Sequence, residues 1–196
     1  MKSRWITLVL CFIVAVVLIV RLVPRGGRRT ESHASAERQS APANAFMGLR
    51  TLVLEGSRAN FGLEPGTSAT QPFAVVTDWG DAQGARTIVA VADGSASVYS
   101  SGGGGSIGGG KLHESIREAA IKTVEAAAAM QPLMHATKQF PLAARGQVNF
   151  YVVTDAGVFT ATASEEDLES NRSQYSALAR AARNIVEEYR SVSESK

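Results

Sequence analysis

The sequence lacks the cysteines from which disulfides, zinc sites and redox centres are built. Its one cysteine, Cys11, lies inside a long apolar run near the N-terminus. An intrachain disulfide is therefore excluded, as are a zinc cluster and a cysteine nucleophile in the rest of the chain. His113 and His135 lie far apart in the sequence, without other ligands at metal-binding spacing. We predict that the chain holds no metal and no cofactor.

Positive charge is scarce in the larger part of the chain. Residues 45 to 196 contain thirteen Lys and Arg against sixteen Asp and Glu, whereas residues 1 to 44 contain seven against two. Binding to a phosphate backbone requires a cluster of positive side chains. We therefore predict no nucleic-acid partner, and we attribute the pI near 8.8 to the N-terminal segment.

Catalytic patterns are missing as well. Serine is abundant, yet no serine lies in a nucleophile-elbow pattern and no set of Ser, His and Asp stands out. We predict that the chain has no enzymatic activity.

One long apolar run is present, from Trp5 to Val23. At about 1.5 Å per residue it would form a helix of about 28 Å, which is enough to span the core of a bilayer. We predict a transmembrane anchor in residues 1–24, and hence a single-pass protein of the cell (inner) membrane with the membrane as a partner. A cleavable signal peptide is the alternative, although the small residues of a cleavage site, Ala34 and Ala36, lie well past the run.

The arginines beside this run favour one orientation. Lys2 and Arg4 precede it, whereas four arginines lie at or beyond its other end: Arg21, Arg25, Arg28 and Arg29. Positive flanks stay on the cytoplasmic side of a membrane. We therefore expect the domain that follows to be cytoplasmic, and an exported sensory or envelope domain is the alternative.

Composition divides the remainder of the chain into two parts. Residues 25–45 contain almost no large apolar side chain and are rich in Ser, Ala, Gly and charge, which predicts a flexible linker. Residues 46–196 carry the apolar patterning of one soluble α+β domain.

Hydrophobic patterning and turn residues predict five strands in this domain. Asp93-Gly94 is typical of a two-residue hairpin turn, and a second turn follows at Asp155-Ala156-Gly157. The strands form a three-strand meander and a later hairpin: Phe73 to Asp78, Arg86 to Ala92, Ser95 to Ser100, Val148 to Thr154 and Val158 to Ala163.

Helical spacing of apolar residues predicts two helices. The first runs from Lys111 to Met130, and the second begins at Ser164, whose spacing to Asp167 is that of a capping box. Leu49 to Leu54 is either a strand or a short helix. The order meander, helix, hairpin, helix predicts an α+β fold with a five-stranded antiparallel sheet and helices packed on it.

The most unusual stretch is a glycine-rich loop between the meander and the first helix. It matches the phosphate-loop pattern G-x-x-x-x-G-K, in which backbone N–H groups and a helix N-terminus face an anion. Leu112 stands where that pattern places a magnesium-binding Ser or Thr, so a tightly packed or mobile loop is the other interpretation. The candidate ligand-binding residues are Gly105, Gly108, Gly109, Gly110 and Lys111.

A partial internal repeat links two strands, since FAVVTDWG and FYVVTDAG agree at six of eight positions. We expect Asp78 and Asp155 to end their strands and to accept hydrogen bonds from turn backbone. A cation site or an acid and base pair at these carboxylates is the alternative. Trp79 is expected to cover the sheet, and an exposed anchor for a partner is its other interpretation.

The stretch from Phe73 to Tyr189 contains TDWG, VADGSASVYSSGGGGSIGGG and VNFYVVTDAGVF in this order. In these motifs it resembles the roadblock/profilin-like domains of bacteria, and bacterial membrane-anchored proteins of similar domain size. The resemblance implies a non-catalytic interaction module that dimerises through its sheet edge or helices and serves regulators such as small GTPases. It carries over no functional residue.

These observations lead to two hypotheses of different class. The first is a membrane-tethered, non-catalytic interaction or scaffolding module with a protein partner or a second copy of itself. The alternative is a nucleotide- or anion-binding protein that uses the loop from Gly105 to Lys111.

Overall fold

The computed structural model describes residues 31 to 195, and from Glu37 onward they form one compact α+β unit. The helices are α1 Glu31–Leu54, α2 Glu114–Met130, α3 Glu165–Glu169 and α4 Ser176–Glu194. The strands are β1 Ala74–Asp81, β2 Gly84–Val91, β3 Ala96–Ser100, β4 Gly105–Ile107, β5 His135–Thr137, β6 Gln147–Thr154 and β7 Gly157–Ser164.

The strands form one sheet in the order β4-β3-β2-β1-β6-β7-β5, and every pair is antiparallel. The predicted α+β class and antiparallel pairing are confirmed, but the prediction of five strands was wrong because the sheet has seven. The two extra strands, β4 and β5, are the edges of the sheet and have three residues each. Three residues are too few to show the alternation by which a strand is recognised.

One face of the sheet, which we call the two-helix face, is covered by α2 and α4. Alternate residues of the central strands point to it, because side chains along a strand alternate between faces. Val75, Ile88 and Phe150 belong to its core. From α4 the fully buried Leu178 and Ile185 pack against them.

The opposite face, which we call the α1 face, is covered by the C-terminal part of α1 and the segment after it. Phe46, Val53 and Leu54 of α1 pack in one cluster with Val76 and Val153 of the central strands. Apolar residues at steps of three and four make LRTLVL the last turns of a helix, which decides between the two alternatives left open by the sequence.

Two predicted segments have different helix bounds in the structure. The helical backbone of α1 includes residues 31 to 45, which the composition assigned to a linker. The predicted C-terminal helix is two helices, since the chain turns between Glu169 and Ser176 with Asn171 at a φ of 59°. Its predicted start is confirmed, because the hydroxyl of Ser164 accepts a hydrogen bond from the backbone N–H of Asp167.

The prediction of a membrane-spanning helix, and with it the inner-membrane localisation, is not supported. Among residues 31 to 195 no helix has the length and apolarity that crossing a bilayer requires. The apolar run from Trp5 to Val23, on which the prediction rested, lies outside the described residues.

Candidate functional site

The glycine-rich loop is an edge of the sheet that leads into α2. β4 pairs with β3, and a 3-10 turn then joins β4 to the helix. Phosphate loops leave their N–H groups open toward the ligand. Here the N–H groups donate within the chain, from Gly108 to the carbonyl of Ala96, from Gly109 to the hydroxyl of Tyr189 and from Lys111 to the carbonyl of Gly108. Nucleotide or anion binding by this loop stays a prediction.

The glycines of the loop allow close packing. A Cβ on Gly109 would strike the ring of Tyr189, and one on Gly110 would strike the carbonyl oxygen of Gly94. Gly105 has a φ of 150°, which residues with a Cβ rarely adopt. The structure thus gives these three glycines a packing role, while Lys111 is exposed.

The two aspartates of the internal repeat lie on neighbouring strands but do not share a site. Asp78 is inside β1, so the prediction that it ends its strand was wrong, and Asp155 begins the turn after β6. Each pairs with its own arginine from the N-terminal part of the domain: Arg50 contacts Asp78 and Arg58 contacts Asp155, each at 2.6 Å.

Asp78 is part of a row of polar side chains that crosses the α1 face. The strand register places these residues opposite one another in the order Tyr99, Thr87, Asp78, Asn149 and Thr162. Thr87 donates to the Asp78 carboxylate at 2.6 Å, and Thr162 donates to the Asn149 side chain at 2.7 Å. Arg50 completes the row from α1 by donating to Asp78 and to the carbonyls of Phe140 and Pro141.

Burial raises the pKa of two ionisable groups in this polar row, Asp78 and Tyr99. Desolvation raises the pKa of the Asp78 carboxyl, and its bonds to Arg50 and Thr87 oppose that rise. Desolvation, and then the nearby charge of Asp78, raise the pKa of the Tyr99 hydroxyl far above its ordinary value. The Tyr99 hydroxyl is buried and has no hydrogen-bond partner among the described residues.

The two histidines weighed as ligands are also apart. His113 precedes α2 without forming a side-chain cap, and His135 lies exposed on the edge strand β5. Within residues 31 to 195 no group of three or more His, Cys, Asp or Glu side chains is placed to hold a metal ion.

A cleft of about 320 Å³ lies between the β1–β2 hairpin and α4. Trp79 and Arg86 are direct cross-strand partners, so their side chains stand on the same face of the sheet. Asp81 on β1 and Ile88 on β2 each lie two residues further along their strand, so their side chains are on the same face. α4 provides the facing wall, a stripe of residues at helical spacing: Arg183, Val186, Glu187 and Arg190.

The three arginines of the cleft differ in what holds them. Arg183 lies over the ring of Trp79, 5.5 Å from its centroid, and donates to Glu165 and Glu169. Arg86 and Arg190 are exposed, and neither forms an ion pair with any residue of the described part. Two guanidinium groups are thus available to an anion that enters the cleft.

Trp79 forms the floor of the cleft and is 9% exposed. Its indole N–H is buried and has no acceptor among the described residues. A buried donor without an acceptor costs about 1–3 kcal/mol, so the indole N–H is an unsatisfied group beside the cleft.

The cleft was not found from the sequence, although parts of its signal were present. The α4 arginines and glutamate share a helical stripe, but charged stripes usually indicate a solvated face. Trp79 was singled out for its side chain alone. Its pairing with Arg86 follows from the register of the β1–β2 hairpin, in which β1 continues to Asp81, beyond its predicted end at Asp78.

The chain was compared with models of protein families, with characterised proteins and with solved structures, and no match was found.

Proposed function

We propose that the domain is a non-catalytic interaction module that binds a carboxylate-bearing segment of a protein partner in the Trp79 cleft. One observation carries the proposal. Arg86 and Arg190 line the cleft without an ion pair in the described chain, beside an aromatic floor.

Guanidinium groups favour this kind of ligand. Their planar fork binds a carboxylate through two parallel hydrogen bonds, and an aromatic surface adds contact area at small entropic cost. Arg183, already fixed over Trp79 by Glu165 and Glu169, keeps the floor in place. The site is therefore partly organised before the ligand arrives.

The composition of the cleft supports binding over chemistry. Its lining residues, all within the described part, include no Ser, Thr, Cys, Lys or His, so carboxylates are the one type of nucleophile that the lining offers. Its carboxylates are Asp81, Glu165 and Glu187, and Arg183 neutralises Glu165.

The test follows the fluorescence of Trp79 in the full chain. A Trp5→Phe background leaves Trp79 as the one tryptophan of the protein. The probes are two synthetic peptides, one with a free C-terminus and no acidic side chain, and one acetylated and amidated with an internal Glu. We expect a saturable change with at least one probe and about tenfold weaker binding in Arg86→Gln and in Arg190→Gln.

The matched control is Arg180→Gln, which removes an exposed arginine from the same helix but outside the cleft. It should bind like the parent chain. Equal binding by all three variants, or no response to either peptide, would refute the proposed function.

A further inference from the structure

We infer that the group bound by the cleft is the C-terminal carboxylate of a partner peptide, with a basic side chain a few residues before it. This inference rests on the proposed function and names its ligand. It follows from the size of the cleft, from its mixture of charges and from its apolar floor.

The size of the cleft favours the end of a chain. Ligand sites usually measure about 300–1,000 Å³, and at about 320 Å³ this cleft is at the small end of that range. It therefore accommodates a terminal residue and its carboxylate better than a long segment in mid-chain.

The charges in the cleft argue against a polyanion. Three arginines are matched by three carboxylates among the lining residues. Asp81 and Glu187, like Arg86 and Arg190, form no ion pair with another described residue. An acidic run would be repelled by these two carboxylates, whereas one carboxylate next to a basic side chain satisfies both signs.

The floor of the cleft favours an apolar terminal side chain. Trp79, Ile88 and Val186 are the apolar residues of the lining and come from two strands and α4. A terminal Val or Leu would cover them while its carboxylate reaches the arginines on the rim. The ligand thus has three parts: an apolar last residue, its free carboxylate and a basic residue upstream.

The experiment uses the full chain in the Trp5→Phe background and four peptides of equal length. The reference peptide is acetyl-Gly-Lys-Ser-Gly-Val with a free C-terminus. The second is its C-terminal amide, the third replaces Lys with Glu, and the fourth is an amide with an internal Glu in place of the terminal carboxylate.

We expect the reference peptide to bind, the two amides to bind about tenfold more weakly, and the Glu peptide about two- to fivefold more weakly. Asp81→Asn should reduce the preference of Lys over Glu, because Glu187 remains, whereas Arg86→Gln should weaken binding of the reference peptide. Asp81 and Arg86 are exposed, so both variants should keep the thermal midpoint of the parent chain.

The outcomes separate this inference from the proposed function. If the internal-Glu amide binds as tightly as the reference peptide and Arg86→Gln weakens both, the terminal carboxylate is refuted and the interaction module stands. If Lys and Glu peptides bind equally, the basic side chain is refuted. If no peptide binds, both proposals fail.

Discussion

Both faces of the sheet have an apolar core, and they differ in the buried charge that they carry. The two-helix face is packed with apolar side chains from α2 and α4. The buried charged residues of the described chain, Arg50, Arg58 and Asp78, instead contact the α1 face. Apolar packing gains free energy in proportion to area, whereas a buried ion pair gains little and fixes geometry. The comparison indicates that apolar packing stabilises both faces, and that on the α1 face Arg50 also fixes where α1 docks.

The largest effect is expected from breaking the buried ion pair. Arg50→Ala leaves Asp78 buried without its guanidinium partner, and the free energy of unfolding should fall by about 3–5 kcal/mol in chemical denaturation. Arg172→Ala, which breaks two exposed pairs, should leave the midpoint close to that of the parent chain. Equal denaturation midpoints for the two variants would contradict the role given to Arg50 in holding α1 on the sheet.

A comparable effect is expected from a cavity on the two-helix face. Leu178 is fully buried in α4, so Leu178→Ala should lower the free energy of unfolding by about 2–5 kcal/mol. Leu112 is 81% exposed and is the matched control, since Leu112→Ala should change stability by less than about 0.5 kcal/mol. A small loss in Leu178→Ala would show that this face is less tightly packed than the structure implies.

Two tyrosines of the α1 face allow a finer comparison. The hydroxyl of Tyr151 donates to the carbonyl of Pro141 and accepts from Asn149, whereas that of Tyr99 has no partner in the described chain. Tyr151→Phe should therefore cost about 1 kcal/mol, and Tyr99→Phe should be neutral or slightly stabilising at pH 7. Urea denaturation of both variants measures the difference, and the reverse order would contradict the hydrogen bonds described.

Alkaline pH should weaken the α1 face through Tyr99. Burial raises the pKa of its hydroxyl above the ordinary value of 10. Below pH 10 the folded and unfolded chains both keep the proton; above it the unfolded chain ionises first, so the free energy of unfolding falls as pH rises. The fall should be less steep in Tyr99→Phe when urea midpoints are compared between pH 9 and 11. Parallel curves would contradict the assignment.

The smallest effect is expected at the glycine-rich loop, where Tyr189 of α4 holds the Gly109 N–H. Because the N–H groups of Gly108, Gly109 and Lys111 already have acceptors, ATP or GTP with magnesium should leave the thermal midpoint unchanged, and Lys111→Ala should behave like the parent chain. A rise of several degrees that is lost in Lys111→Ala would instead support the phosphate-loop interpretation.

The elements of this fold that follow local rules could be predicted from the sequence. Alternating apolar residues and the turns at Asp93-Gly94 and Asp155-Ala156-Gly157 placed the longer strands. Helical spacing placed α2 and the C-terminal helical region, which the structure divides into α3 and α4. The edge strands could not be predicted, because Gly105–Ile107 and His135–Thr137 become strands only through pairing with β3 and β7. The residues of these two short segments alone give no indication of that strand pairing.

The candidate cleft could not be predicted for a related reason. It depends on a hairpin register and on where α4 crosses the sheet, and both are set by long-range packing. The Arg50–Asp78 pair spans 28 positions and left no local pattern. The glycine-rich loop shows the reverse: its composition is conspicuous in the sequence, yet the N–H groups of Gly108, Gly109 and Lys111 donate to acceptors within the fold.

The short edge strands also limit how this sheet can grow. β4 and β5 offer three residues each, so few free N–H and C=O groups are available to template another strand. Strand-by-strand accretion into aggregates is therefore disfavoured at both ends of the sheet. Any contact that this domain makes with another protein is therefore expected to use side chains and not the pairing of sheet edges.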